Sequence, residues 1–175
     1  MKKILLKRGF TIIELLVVIA IIAVLTAIVT SNFTTAKSKA RDAKRVSDIA
    51  QIQLALAMVF DKCDVFPADI INIGAPIRKD ANTFCKIGTS NSNYTLSQFI
   101  SVIPKDPVTN ASYGYSKNSN MPYNDYVLKA VLENNSPVLL DDVDGNPFTI
   151  GANATLGCDD NVAAEGPYNY CVQPK

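Results

Sequence analysis

RGFTIIELLVVIAIIAVLTAIV, residues 8–29, decides how this chain is built. Past Arg8 and Gly9 it is apolar almost throughout, and the one charge is Glu14. A helix rises about 1.5 Å per residue, so residues 10–29 would span roughly 30 Å, the thickness of a bilayer's hydrocarbon core. An acid near the centre of such a span costs about 2.5–3.5 kcal/mol on insertion scales, and acids in apolar spans generally mark a contact. The fold question therefore becomes a charge question: what neutralises Glu14?

The flanking residues offer three answers. Lys2, Lys3, Lys7 and Arg8 make a short basic start, as in a cleaved secretory signal, an uncut anchor, or an anchor trimmed at its basic end. A secretory signal has an apolar core of about 7–15 residues followed by a small-residue cleavage site. Here the run is longer, holds an acid early, and is followed by no A-x-A site. An uncut anchor leaves Glu14 without a partner. A cut between Gly9 and Phe10 creates one, because the new Phe10 amine is cationic near neutral pH and lies four residues before Glu14 on the same helical face. That amine can pair within its own chain or meet Glu14 of a neighbouring helix. The second pairing would set the register of helices that apolar packing alone leaves free to slide, since lipid tails compete equally well for leucine.

KRG followed by FTIIELLVVIAIIAVLTAI resembles the class III signal of type IV pilins and the related type II secretion pseudopilins. The resemblance implies that a prepilin peptidase cuts after Gly9 and methylates the Phe10 amine, and that Glu14 is the assembly residue. It implies as partners other pilin subunits, in homo- or hetero-filaments, an inner-membrane assembly platform, and the membrane. Residues 1–9 are then a cleaved leader, residues 10–35 a hydrophobic transmembrane and filament-core helix, and residues 36–175 an extracytoplasmic head that includes the second half of the long helix. The helix-loosening proline of many members corresponds here to Ser31. Lys37, Lys39, Arg41, Lys44 and Arg45 nearly balance the basic leader, so a positive-inside count does not orient the span. The cleavage motif and the cysteines do. They imply a single pass through the cytoplasmic membrane with the head outside the cytoplasm, and later a cell-surface pilus or periplasmic pseudopilus.

The rest of the composition is mostly exclusionary. A net charge of +1 over 175 residues creates no field that would attract nucleic acid, and no nucleic-acid partner is expected. The chain has no histidine, which removes the commonest general base, the Ser-His and Cys-His nucleophile pairs and the commonest zinc ligand. No cofactor is called for. Cys63, Cys85, Cys158 and Cys171 form no C-x-x-C pair and suit disulfides in an oxidising compartment. Four cysteines allow three connectivities. The local pairs Cys63 with Cys85 and Cys158 with Cys171 are favoured, because each pins a segment too irregular to bury a core of its own. Asp141, Asp142 and Asp144 beside Gly145 offer closely spaced oxygens that suit calcium, which some pseudopilin heads hold in this region, although no glutamate completes an EF-hand loop.

Beyond the apolar run, residues 36–60 keep helical periodicity without glycine or proline, which predicts one helix of roughly 50 residues. Ala36, Ala40, Ala43, Val46, Ala50, Leu54 and Ala57 make the stripe expected to face the head, with Lys37, Arg41, Lys44, Asp48 and Gln51 opposite. Residues 61–93 are a loop-rich connector. TLSQFISVIP, from residue 95, predicts a short helix with a Thr95–Gln98 capping box. YGYS (113–116), YVLKAVLE (126–133) and PVLLD (137–141) predict strands, the last two joined by an NNSP hairpin turn. The expected fold is α+β, a long helix laid across a small antiparallel sheet, as in type IV pilins. The expected function is a structural subunit of a pilus or pseudopilus. The rival is a membrane-anchored extracytoplasmic binding module or enzyme.

Overall fold

The computed structural model describes residues 10–80, 83–89, 91–117, 125–142, 158 and 168–174. One helix, α1, runs Ile12–Cys63 over 52 residues. It stops at Asp64, whose φ of 58° is left-handed and whose N–H donates to the Phe60 carbonyl at 2.8 Å, a one-residue cap that leads into Pro67. The chain divides into two units, Met1–Ser38 and Lys39–Lys175.

Within the first unit, residues 12–27 of α1 are apolar on every side apart from Glu14 and Thr26, and all of them are exposed, Ile12 at 83% and Leu25 at 56% among them. A helix apolar all round belongs in lipid or in the interior of an assembly. Among the described residues no helix is long and apolar enough to cross a membrane. The membrane crossing expected for residues 10–35 is not confirmed by the structure.

The second unit is the α+β head. Its sheet has the order β1-β2-β3, from Gly114–Lys117, Tyr126–Leu132 and Tyr168–Val172, antiparallel at both junctions. The register sets Tyr115 and Val172 on either side of Leu128. Leu128, Ala130 and Tyr126 pack into one cluster with Ile49, Ile52, Leu56 and Val59 of α1. Phe66 extends it, stacked on Phe60 at 4.8 Å and edge-on to Tyr126 at 4.6 Å. Val127, on the other side of β2, is buried with Cys158 and Cys171. The connector expected over residues 61–93 is irregular once α1 ends at Cys63, pinned by single bridges such as Arg78 with Phe84 and Lys86 with Asn93.

Several expectations are corrected. The stripe Ala36, Ala40, Ala43, Ala50, Leu54 and Ala57 is exposed, and Val46 is half-buried. The face toward the head is instead Asp42, Arg45, Asp48, Ile49, Ile52, Ala55, Leu56, Val59 and Cys63. Large β-branched and γ-branched side chains bury more apolar area than alanine, and they fix the helix's rotation. The predicted helix over 95–103 shrinks to a 3₁₀ turn, Leu96–Gln98, and its capping box does not form; Thr95 Oγ1 pairs with Ser97 Oγ at 2.9 Å. PVLLD is a 3₁₀ turn, Pro137–Asp141, not a strand, so NNSP turns no hairpin. Pro137 stands in the first turn, where its fixed φ and missing N–H favour a helical start. The third strand lies at Tyr168–Val172, within what read as a tail.

Candidate functional site

At the start of α1, Thr11 and Glu14 cap the helix reciprocally. The Thr11 N–H and Oγ1–H both donate to Glu14 Oε2, each at 2.9 Å, and the Glu14 N–H donates to Thr11 Oγ1 at 3.3 Å. This is a capping box: it satisfies helix donors that have no carbonyl partner, and it sets a carboxylate against the positive end of the helix dipole. The signature T-x-x-E directly before an apolar run was in the sequence, and reading Glu14 only as a charge in need of a cation passed over it. The box uses one carboxylate oxygen. Phe10, 85% exposed, precedes it. Gly9 lies outside the described residues.

A second polar constellation sits in the head, where α1 meets the sheet. Arg45, 4% exposed, donates from Nε to Asp106 Oδ2 at 2.6 Å and from Nη1 to Asp42 Oδ1 at 2.8 Å and Glu133 Oε1 at 2.7 Å. Arg41 also grips Glu133, through Nε at 2.7 Å and through Nη2. Asp42 then accepts the backbone N–H groups of Glu133 at 2.8 Å and Asn134 at 2.9 Å, closing the end of β2. Asp106 Oδ1 caps its own turn, accepting from the N–H groups of Val108 and Thr109. One helical turn further on, the Tyr113 hydroxyl donates to Asp48 Oδ2 at 2.8 Å.

The charges of this cluster hold one another. Hydrogen bonding from Arg45 keeps Asp106 far below the usual carboxylate range. Arg41 first, then Arg45, brings Glu133 down to about 2. Burial alone would make Arg45 less basic, but its bonds to Asp106, Glu133 and Asp42 raise it above the ordinary arginine value. Burial and the Asp48 carboxylate together push the Tyr113 hydroxyl upward. Buried charges of this kind persist only when paired and hydrogen-bonded. The cluster could not be read from the sequence, because Asp106 and Glu133 lie 61 and 88 positions from Arg45.

The cysteines form the two local bonds, Cys63–Cys85 and Cys158–Cys171. The first ties the last residue of α1 to the connector, and the second joins β3 to the segment before it. The acidic turn is less complete. Asp142 Oδ2 accepts the Cys171 N–H at 3.1 Å, Asp141 ends the 3₁₀ turn, and Asp144 lies outside the described residues. Among the described residues no three Asp, Glu or Cys side chains stand together so as to hold a metal ion.

Comparison with known proteins adds the lineage. Residues 5–30 match the model of the prokaryotic N-terminal methylation motif. The chain is 33% identical over 107 residues to type II secretion system core protein G of Vibrio cholerae, covering 61% of this chain and 69% of that one. It is 37% identical over 101 residues to the Escherichia coli protein of the same name, covering 58% and 66%, and 33% identical over 101 residues to that of Dickeya chrysanthemi, covering 58% and 63%. No solved structure matches.

Proposed function

The chain belongs to the type II secretion system core protein G family, and from that premise we propose that it is processed after Gly9 and assembles through its exposed apolar helix into a pseudopilus. It is a structural subunit, and the relatives' shared name as secretion core proteins favours that role over catalysis. The observation that carries the reading is the stretch of α1 over residues 12–27, almost wholly apolar and exposed on all sides, under a methylation motif. Such a surface is stable in water only when lipid or neighbouring copies cover it. Before assembly, residues 10–35 anchor the chain in the cytoplasmic membrane, with the head on the oxidising side where its two disulfides form.

The capping box gives Glu14 two duties. Oε2 closes the helix start, and the carboxylate's charge receives the methylated Phe10 amine of a neighbour as the helices stack. Charge-assisted pairing in an apolar surrounding is short, strong and intolerant of register error. Prepilin peptidase and an assembly platform act on the subunit before that pairing. Calcium at Asp141, Asp142 and Asp144 is a separate proposal, read out as a calcium-dependent rise in the head's melting temperature that Asp144→Ala abolishes.

Mass spectrometry of fibres sheared from the native cell tests the main reading. The expected chain begins at methylated Phe10. A chain retaining residues 1–9 in working fibres overturns the processing step, and absence of the chain from every fibre overturns the structural role.

A further inference from the structure

The face that α1 presents to the sheet changes character halfway along. Within residues 39–48 the buried side chains are Asp42, Arg45 and Asp48, all charged. From Ile49 onward the buried side chains are Ile49, Ile52, Ala55, Leu56, Val59 and Cys63, all apolar, and the last is bonded to Cys85. One half of this contact is ionic and hydrogen-bonded, and the other is greasy and covalently stapled.

The ionic half is also open to water from two sides. A cavity of about 530 Å³ is lined by Arg45, Asp106 and Glu133 together with Val108, Tyr113 and Val131. A second, of about 470 Å³, is lined by Asp42, Ala43 and Val46 against Asn134, Pro137 and Val138. Both cavities border charges that the closed fold leaves almost wholly covered, so water and salt stand next to them. Separating these charges into such cavities rehydrates them, which offsets much of the Coulomb energy lost, whereas separating Ile49 or Leu56 from the sheet exposes apolar area with no return.

We propose that residues 39–48 form an ionic latch, a stretch of α1 held to the end of β2 by Arg45 and its carboxylates that opens while residues 49–63 remain packed. Closed, the latch covers the backbone of Glu133 and Asn134 through Asp42. Open, it frees those two N–H groups and joins the two cavities beside them. The latch allows the head's helix to shift at one end without unfolding the head.

Residue-resolved hydrogen exchange on the whole chain in detergent micelles tests this, because the Glu133 and Asn134 amides bond to a side chain of α1 while the Leu128 and Ala130 amides lie in the paired middle of β2. Raising sodium chloride from low to molar concentration is expected to speed exchange at Glu133 and Asn134 and leave Leu128 and Ala130 unchanged. Arg45→Lys keeps the charge and loses the planar fork; it is expected to speed the first pair roughly tenfold and the second less than twofold. If both pairs accelerate together, residues 39–48 open only with the whole head and the latch is wrong. No response in either pair, to salt or to the lysine, overturns it equally.

Discussion

Thr11 and Glu14 bond each other in both directions across the first turn of α1. The acid in the apolar run therefore has a partner in its own chain, so removing its charge and removing its cap are separable changes. Glu14→Gln keeps an amide oxygen able to accept the Thr11 N–H and loses the charge. Thr11→Ala loses the hydroxyl half of the box, at about 1 kcal/mol of local helix stability, and keeps the charge. Incorporation into sheared fibres, quantified by immunoblot, is expected to fall at least tenfold for Glu14→Gln and to change little for Thr11→Ala. The reverse order would make capping, not pairing, the reason for the acid.

The rotation of α1 in the head yields a sharper contrast. Ile52 is fully buried and Leu54, two residues on, is 61% exposed. Ile52→Ala is expected to cost about 2–5 kcal/mol in urea unfolding, the range for emptying a packed core position. Leu54→Ala is expected to stay within about 0.5 kcal/mol. Equal losses would mean that the alanine and leucine face, not the isoleucine face, lies on the sheet.

That contrast also marks what could be read in advance. The extent of α1 was legible because nothing between residues 10 and 63 breaks a helix, and Asp64 with Pro67 ends it. Its rotation was not, because alanine counts as apolar in any periodicity while Asp42, Arg45 and Asp48 count as solvent-facing. Their burial depends on Asp106, Tyr113 and Glu133, which no local window contains. β2 was clear from its length and β-branched content, whereas β3 has five residues and alternates only Tyr and Val with Asn and Cys. PVLLD failed for the opposite reason: its composition suits a strand, but the proline at its start favours a turn. Within the methylation motif the residues were all visible, and the missing piece was the local capping role of Thr11.

Acid should loosen the ionic half of the head first. In the unfolded chain Asp and Glu titrate near pH 4, whereas Glu133 is held down to about 2 and Asp106 lower still. Between those limits the unfolded state binds more protons, so the stability these acids contribute above about pH 4.5 is lost as pH falls toward 2. The groups around them are Arg41, Asp42 and Arg45 on α1, the Tyr113–Asp48 pair beside Asp106, and Lys129 on the cavity wall. Arg41 and Arg45 are raised by their carboxylate partners and stay charged throughout, so the slope belongs to Glu133 and Asp106. Urea midpoints measured from pH 6 to pH 2.5 are expected to fall, and Glu133→Gln is expected to flatten that fall. Parallel curves for the two proteins would remove Glu133 from the account.

The two disulfides should stabilise the head independently. Cys63–Cys85 lies in the main cluster with Ile52 and Leu128, and Cys158–Cys171 lies in a separate one with Val127. Their separations of 22 and 13 residues close loops of similar size, and restricting the unfolded chain by either contributes about 3 kcal/mol. Because the clusters share no residue, the losses are expected to add. Cys63→Ala with Cys85→Ala, and Cys158→Ala with Cys171→Ala, are each expected to lower unfolding free energy by about 2–4 kcal/mol, and the fourfold variant by their sum within about 0.5 kcal/mol. A fourfold loss well short of the sum would mean that one staple holds the head only when the other is closed, and that α1 and the outer side of β2 unfold as a single unit.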